Sequence, residues 1–477
     1  MKEINGRSGH ESALAPVKKG QEIELLVTDL AFGGRGIAKV DGLTVFVDQA
    51  IPGDHVRARV FKKKKNYAEA RTLDVITASP MRVTPPCQYS GFCGGCKWQF
   101  LSYDRQLHYK RAHVAESMAH IGQLKDIPVH PTIASPLQFG YRNKMEFSCS
   151  DRRWLLPSEL GQPGKDFGLM AVGLHVPGAF QKVLDIETCH IQPDLGNRIL
   201  SHVRQYIKES PLPVYGLKSH EGFWRFLMLR HAQAHDQWMV NIVTAAEEIP
   251  AVKPLAEALV RQYPQIVSVV NNITARKAGI AVGEYEVLLA GSAVIRDKIG
   301  SHSFEISANS FFQTNTLGAE KLYDTVKQYA GLTGSEHVLD LYCGTGTIGI
   351  HLSDDASSVM GIEMTESAID DARRNCRING IENCRFLLGD IKNVLPEIDR
   401  KPDVLIIDPP RVGMHPEVVK QVLSLAGERI VYVSCNPATL ARDLGMMKDQ
   451  YRVAEIQPVD MFPHTHHIEA VARLESL

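Results

Sequence analysis

The chain has 477 residues, room for about three domains of ordinary size. Its 53 basic and 54 acidic side chains nearly cancel, so bulk charge neither selects nor excludes a nucleic-acid partner, and local clusters must decide. An apolar content of 44% is that of a globular protein. No apolar run approaches the roughly 18 residues of a membrane span, and the N-terminal stretch lacks the apolar core of a secretory signal, so the expectation is a cytoplasmic protein with no membrane partner.

Residues 1–16 are expected to form a flexible N-terminus. From 17 to 80, short alternating strands broken by Gly33-Gly34, Asp41-Gly42 and Pro52-Gly53-Asp54 predict a small β-barrel of the oligonucleotide-binding (OB-like) type. Lys62-Lys63-Lys64-Lys65 offers this barrel a cationic edge for RNA, and would serve equally well as a solvated turn.

A central segment, 81–308, opens with cysteines. Nine cysteines without an export signal argue against a disulfide framework and for metal binding or catalysis. Cys87, Cys93 and Cys96 place three thiols in one loop, which paired glycines allow to fold tightly around a bulky centre. A four-cysteine zinc site more usually shows two close pairs, so a triplet plus one distant residue leans toward iron and sulfur, with zinc as the competing reading. The five-residue gap between Cys87 and Cys93 does not match the Cys-x3-Cys-x2-Cys spacing of radical enzymes. A polar helix is predicted near 106–122, followed by an antiparallel β-rich region in which Tyr141-Arg142-Asn143-Lys144 sets two cations beside an aromatic ring, a plausible RNA contact.

From 309 to 477 strands alternate with helices, predicting an α/β doubly wound (Rossmann-like) domain. One strand, 338–341, runs into Gly344-Thr345-Gly346-Thr347-Ile348-Gly349, a turn that lets a nucleotide approach the backbone. Glu363 ends the second strand, Asp390 follows the third at 385–388, and Asp408-Pro409-Pro410 follows the fourth at 404–407. Acidic residues at successive strand ends suit S-adenosyl-L-methionine better than a nicotinamide cofactor, with Glu363 on the ribose hydroxyls and Asp390 near adenine. Thr365 and Asn379-Gly380 should bound the helix after Glu363, leaving Cys376 as a core residue. Amino-group methylation is accompanied by Asp-Pro-Pro-Tyr; here Arg411 stands in the aromatic place, which favours a ring carbon as methyl acceptor.

Ser434-Cys435-Asn436-Pro437 supplies a thiol beside that nucleotide site. Carbon 5 of uracil is a poor nucleophile until a thiolate adds to carbon 6, and Cys435 requires local activation for this role. A base must then remove the C5 proton. Glu469 is chosen, its pKa raised by a base-filled pocket, and His467 is the alternative. His464, His466 and His467 also invite a zinc reading, although no partner completes such a site. Phe311 and Phe312 are either an RNA-stacking pair or core aromatics.

Gln313, Asp340-Leu341-Tyr342-Cys343-Gly344-Thr345-Gly346, Asp408-Pro409-Pro410-Arg411, Ser434-Cys435-Asn436-Pro437 and the run from Phe462 to Glu469 together resemble the bacterial RNA uracil-5-methyltransferase family. The likeness is strongest to its 23S ribosomal RNA branch, which carries an N-terminal TRAM barrel and a cysteine cluster that the tRNA branch typically lacks. The resemblance implies that Cys435 is the nucleophile, Glu469 the base, and Gln313, Tyr342, Glu363 and Asp408 the S-adenosyl-L-methionine site; Asp390 is added from strand order. It also implies that Cys87, Cys93, Cys96 and Cys189 hold a structural 4Fe-4S iron-sulfur cluster, with Cys149 the rival fourth ligand. The implied partner is 23S ribosomal RNA, from which a uridine would be flipped out, and no obligate protein partner is indicated. A tRNA substrate, or a non-catalytic RNA-binding role in ribosome assembly, are the alternatives.

Overall fold

In the computed structural model the described residues are 17–160, 162, 167–277, 279–425 and 427–477; the expected flexible segment 1–16 lies outside them. Two compact units are present. One runs to Thr84 and adds Phe100–Ser102; the other comprises Pro85–Gln99 and Tyr103–Leu477.

The first unit is a six-stranded sheet whose strands span 22–77. Its longest strands show why the sequence pattern was readable: along His55–Lys63, Val56, Ala58 and Val60 are buried while Arg57 and Arg59 face solvent, the two-residue period of a half-buried strand. Within the lysine run, Lys62 is bonded to Glu69 on the paired strand and stacks near Tyr67.

In the second unit, helix α1 (Tyr103–His120) follows the cysteine loop. The central region forms an eight-stranded sheet that is mixed, not antiparallel as the sequence suggested. Strand Gln237–Thr244 pairs in parallel with Ile266–Ile273, because helix Ile249–Gln262 connects them as a crossover. The helix was hard to anticipate, since Pro250 and Pro254 lie within it.

The C-terminal sheet positions the site. Its strands are β1 (His337–Leu341), β2 (Ser358–Glu363), β3 (Cys384–Leu388), β4 (Val404–Ile407), β5 (Arg429–Ser434), β6 (Tyr451–Val459) and β7 (Glu469–Ser476), in spatial order β3-β2-β1-β4-β5-β7-β6. All run parallel except β7, which is antiparallel to both neighbours. The apolar side chains of β4 and β5 are buried, as expected of strands covered by helices on two faces. Helices α2 (Thr347–Leu352), α3 (Glu366–Asn379) and α4 (Pro437–Met447) follow β1, β2 and β5. Thr365 and Gly380 bound α3, the latter at φ +67°, and Cys376 is buried beneath it. Among the described residues no helix is long and apolar enough to cross a membrane.

Candidate active site

The strand order reverses between β1 and β4, so the strands diverge there and leave a crevice at their carboxyl ends. A cavity of about 1140 Å³ occupies it, and Gln313, Tyr342, Glu363, Asp390, Asp408, Cys435 and Glu469 all line its wall. Each arrives there by topology. Tyr342 follows β1, Glu363 ends β2, Asp390 follows β3, Asp408 follows β4 and Cys435 follows β5. Glu469 begins β7, and because β7 is antiparallel its first residue meets the same edge. Ser434 pairs with Ala470 across β5 and β7, so one further step of that register sets Cys435 opposite Glu469.

Local geometry supports ligand approach. Tyr342 holds φ +63°, a conformation costly for an aromatic residue and characteristic of functional turns. Gly344, at φ +54°, has no heavy atom within 4 Å of where a Cβ would stand, which keeps the turn open toward the cavity. Glu363 is fixed by two backbone amides, accepting from Gly344 N at 3.2 Å and Thr365 N at 2.9 Å, and each carboxylate oxygen keeps an acceptor position for a ligand hydroxyl. Asp390 accepts from Lys392 N at 3.0 Å, capping the short helix that follows. Asn436 caps α4 by accepting from Ala438 N and donates to the Arg411 carbonyl at 3.0 Å, so the segment carrying Cys435 and the segment carrying Arg411 are tied together.

The cavity is lined by several acidic side chains. Burial pushes Asp408 up to about 7. Burial, then the charge of Asp408, raises Glu469 well above the usual carboxylate range, opposed by Arg411. Cys435 is pushed up to about 11 by burial and by Glu469 and Asp408, again opposed by Arg411. Local activation of the thiol is therefore not supplied by these protein groups at rest: two acids outweigh one guanidinium. Burial lowers His467 to about 4, which makes it a poor base near neutrality. His464 stacks on Phe139 with ring centroids 4.3 Å apart and sits 3.2 Å from the Gln106 amide, a structural role. Phe311 is exposed at the cavity, whereas Phe312 is a core aromatic.

The cysteines converge elsewhere. Cys87, Cys93, Cys96 and Cys189 line one pocket; Cys149 is buried in strand Lys144–Ser150 and does not line it. Burial raises all four thiols, Cys93 and Cys96 to about 12 and Cys189 to about 11, and for those three the charge of neighbouring cysteines adds to the shift. Among the described residues no group of three or more His, Cys, Asp or Glu side chains is arranged to hold a metal ion.

Family models match in three places: a TRAM domain over residues 16–73, a tRNA (uracil-5-)-methyltransferase over 228–390, and a methyltransferase domain over 332–467. An uncharacterized RNA methyltransferase of Chlorobaculum tepidum is 45% identical, with 96% of this chain and 97% of that protein covered. Another from Porphyromonas gingivalis is 41% identical over 94% and 98%. Among solved structures, the Pyrococcus abyssi tRNA (uracil-54, C5)-methyltransferase in complex with S-adenosyl-L-homocysteine superposes with TM-score 0.74 at 30% identity, covering 95% of this chain and all of that one. The chain belongs to the RNA uracil-5-methyltransferase family. Its C-terminal sheet is the S-adenosylmethionine-dependent methyltransferase fold, and its N-terminal barrel is a TRAM domain.

Within this uracil-5-methyltransferase, one site residue escaped the sequence analysis. Arg411 was noted as a departure from an amine-methylating motif and as part of the family's Asp408-Pro409-Pro410-Arg411 run but given no role, yet it lines the cavity and opposes the upward pKa shifts of both Cys435 and Glu469. Its position directly after Asp408-Pro409-Pro410 was the available signal.

Proposed function

We propose that this protein is a cytoplasmic enzyme that methylates C5 of a uridine in 23S ribosomal RNA, with S-adenosyl-L-methionine as donor. The observation carrying the reading is that a thiol and a buried carboxyl meet at the ends of β5 and β7 inside the cavity formed by the acidic ends of β1 to β4.

The wall fits a cationic nucleoside. Glu363 would accept ribose hydroxyls, Asp390 would approach the adenine, and Gln313, Tyr342 and Asp408 would enclose the remainder. When bound there, the donor would supply an electrophilic methyl group and a positive charge that would favour the ionised forms of Asp408, Glu469 and Cys435. Cys435, having given its proton to solvent, would bond to C6 of uracil; the C5–C6 π pair moves to C5, which takes the methyl group as the donor's sulfur–methyl bond breaks and S-adenosyl-L-homocysteine leaves. Glu469 then takes the C5 proton, the C5–C6 double bond reforms, and Cys435 leaves as thiolate. Arg411 offsets negative charge on this path.

Asp408→Asn separates stability from function. Because burial holds Asp408 up to about 7, against about 4 in the unfolded chain, the folded protein binds this proton more tightly and loses stability as pH rises through that window. The variant is expected to melt above wild type at pH 8 and level with it near pH 4, while donor affinity by calorimetry falls at least tenfold. A variant that binds donor like wild type would remove Asp408 from the site.

For the cysteine pocket we propose a structural 4Fe-4S cluster on Cys87, Cys93, Cys96 and Cys189. Four half-buried thiols line one pocket, burial holds them protonated, and a positive centre would ionise them; a triplet plus one distant cysteine suits a cluster, which spreads its ligands over separate irons. Anaerobically purified protein should contain iron and acid-labile sulfide in equal amounts with broad visible absorbance, and Cys189→Ser should lose that absorbance. Stoichiometric zinc instead would contradict the assignment.

One observation keeps a tRNA substrate as the second reading. The solved Pyrococcus abyssi tRNA enzyme aligns over 95% of this chain, too much to omit the barrel, so possession of a barrel does not separate the two RNA classes. Incubating the enzyme and radiolabelled donor with purified 23S ribosomal RNA and with tRNA decides. Label in the ribosomal RNA is expected; label in tRNA alone would replace the substrate, and label in neither would leave an RNA-binding role.

A further inference from the structure

Gln106 and Lys110 lie one turn apart on α1, and both are fully buried. Lys110 Nζ stands 2.5 Å from Asp460 Oδ1, a pair with no solvent exposure on either side. The same ammonium donates to the Phe462 carbonyl at 3.1 Å, and Asp460 Oδ1 accepts the Phe462 amide at 3.0 Å. Gln106 uses both ends of its amide: Oε1 accepts His464 N–H at 2.8 Å, and Nε2 donates to the Trp98 carbonyl at 3.1 Å. The His464 carbonyl accepts the amides of Lys97 and Trp98 at 3.0 and 2.9 Å, residues directly after Cys96.

One helix face thus grips the backbone from 460 to 464, and two residues of the gripped segment and its continuation, Phe462 and His467, face the cavity beside Cys435 and Glu469. Folding alone gives little reason for the ion pair. Taking a lysine and an aspartate out of water costs about what their attraction returns, and apolar side chains of similar volume often stabilise a core equally well or better. What an apolar pair cannot do is donate to the Phe462 carbonyl and accept its amide, which fix that residue's direction.

We propose that Lys110 and Gln106 are positioning residues: through Asp460 and the 462–464 backbone they set Phe462 and His467 as the wall against which the acceptor base rests, so that C6 is presented to Cys435. The inference rests on the uridine-methylation reading and adds to it the residues that orient the acceptor rather than the donor.

The test is the double variant Lys110→Met/Asp460→Leu, measured for melting temperature, donor affinity, and single-turnover methylation of the RNA that wild type modifies. Melting at or above wild type, donor affinity within about twofold, and a rate reduced on the order of tenfold or more are expected, because misplacement by an ångström is enough for such losses. Lys110→Arg, which keeps charge and donors, should recover part of the rate. Wild-type turnover in the apolar double variant would overturn the assignment. If the double variant does not fold, Gln106→Met carries the same measurements, and a wild-type rate there overturns it equally. Wild type that methylates no uridine would sink the underlying reading instead, an outcome distinguishable because it appears before any variant is made.

Discussion

Cys435→Ala is expected to lower methyl transfer by roughly three orders of magnitude or more, with donor affinity held within about twofold. The barrier at issue is chemical: without a sulfur bond to C6, C5 of uracil carries too little electron density to displace a methyl group. The substitution leaves the surrounding geometry alone, since the Asn436 cap, Pro437 and α4 begin just beyond it and the donor-facing residues belong to other strands. Burial and two acids hold the thiol up to about 11, so the rate of the wild-type enzyme should climb as pH rises through neutrality, as the thiolate fraction grows. A pH-independent rate, or substantial residual activity in the alanine variant, would count against a thiolate nucleophile.

Glu469→Gln is expected to do the opposite of a simple knockout. Glutamine preserves shape but cannot take the C5 proton, and its neutrality removes an acid that, after burial, raises the pKa of Cys435. Addition should therefore proceed at least as readily as in wild type while release fails, and a covalent protein–RNA species should accumulate. It should run as a slow band on a denaturing gel, require donor for its full yield, and vanish in the Cys435→Ala/Glu469→Gln double variant. Free turnover in Glu469→Gln would transfer the base role to another group, although His467, held neutral to about pH 4, is poorly suited to it.

The legibility of the chain in sequence varied for physical reasons. In the C-terminal sheet, β4 is apolar throughout and is followed at once by Asp408, and β2 stops at the carboxylate of Glu363, so the ends of β2 at Glu363 and β4 at Ile407 could be placed to the residue. The same punctuation brought Glu363, Asp390, Asp408 and Cys435 to one edge on paper, and they share one cavity in the fold. The barrel was readable from its alternation and its Gly-containing turns. The central region was not, because Ile249–Gln262 contains prolines that read as loop and its crossover reverses the expected strand sense. Lys110 and Gln106 were invisible for a different reason: on a helix rich in polar residues they look solvated, and the partners that bury them stand 350 and 358 positions away. The state of Cys435 was also beyond sequence, since its pKa depends on Asp408 and Glu469 arriving from separate strands.

The central claim is a temporary bond between the Cys435 sulfur and C6 of uracil. Substrate RNA containing 5-fluorouridine tests it, because fluorine replaces the proton that Glu469 must remove and the reaction should halt after methylation with the bond intact. Mass spectrometry of the digested adduct should find a methylated fluorouridine on the peptide carrying Cys435, in an amount close to one per enzyme. Complete turnover of that RNA without a cross-link, or a cross-link at any other residue, would contradict the account.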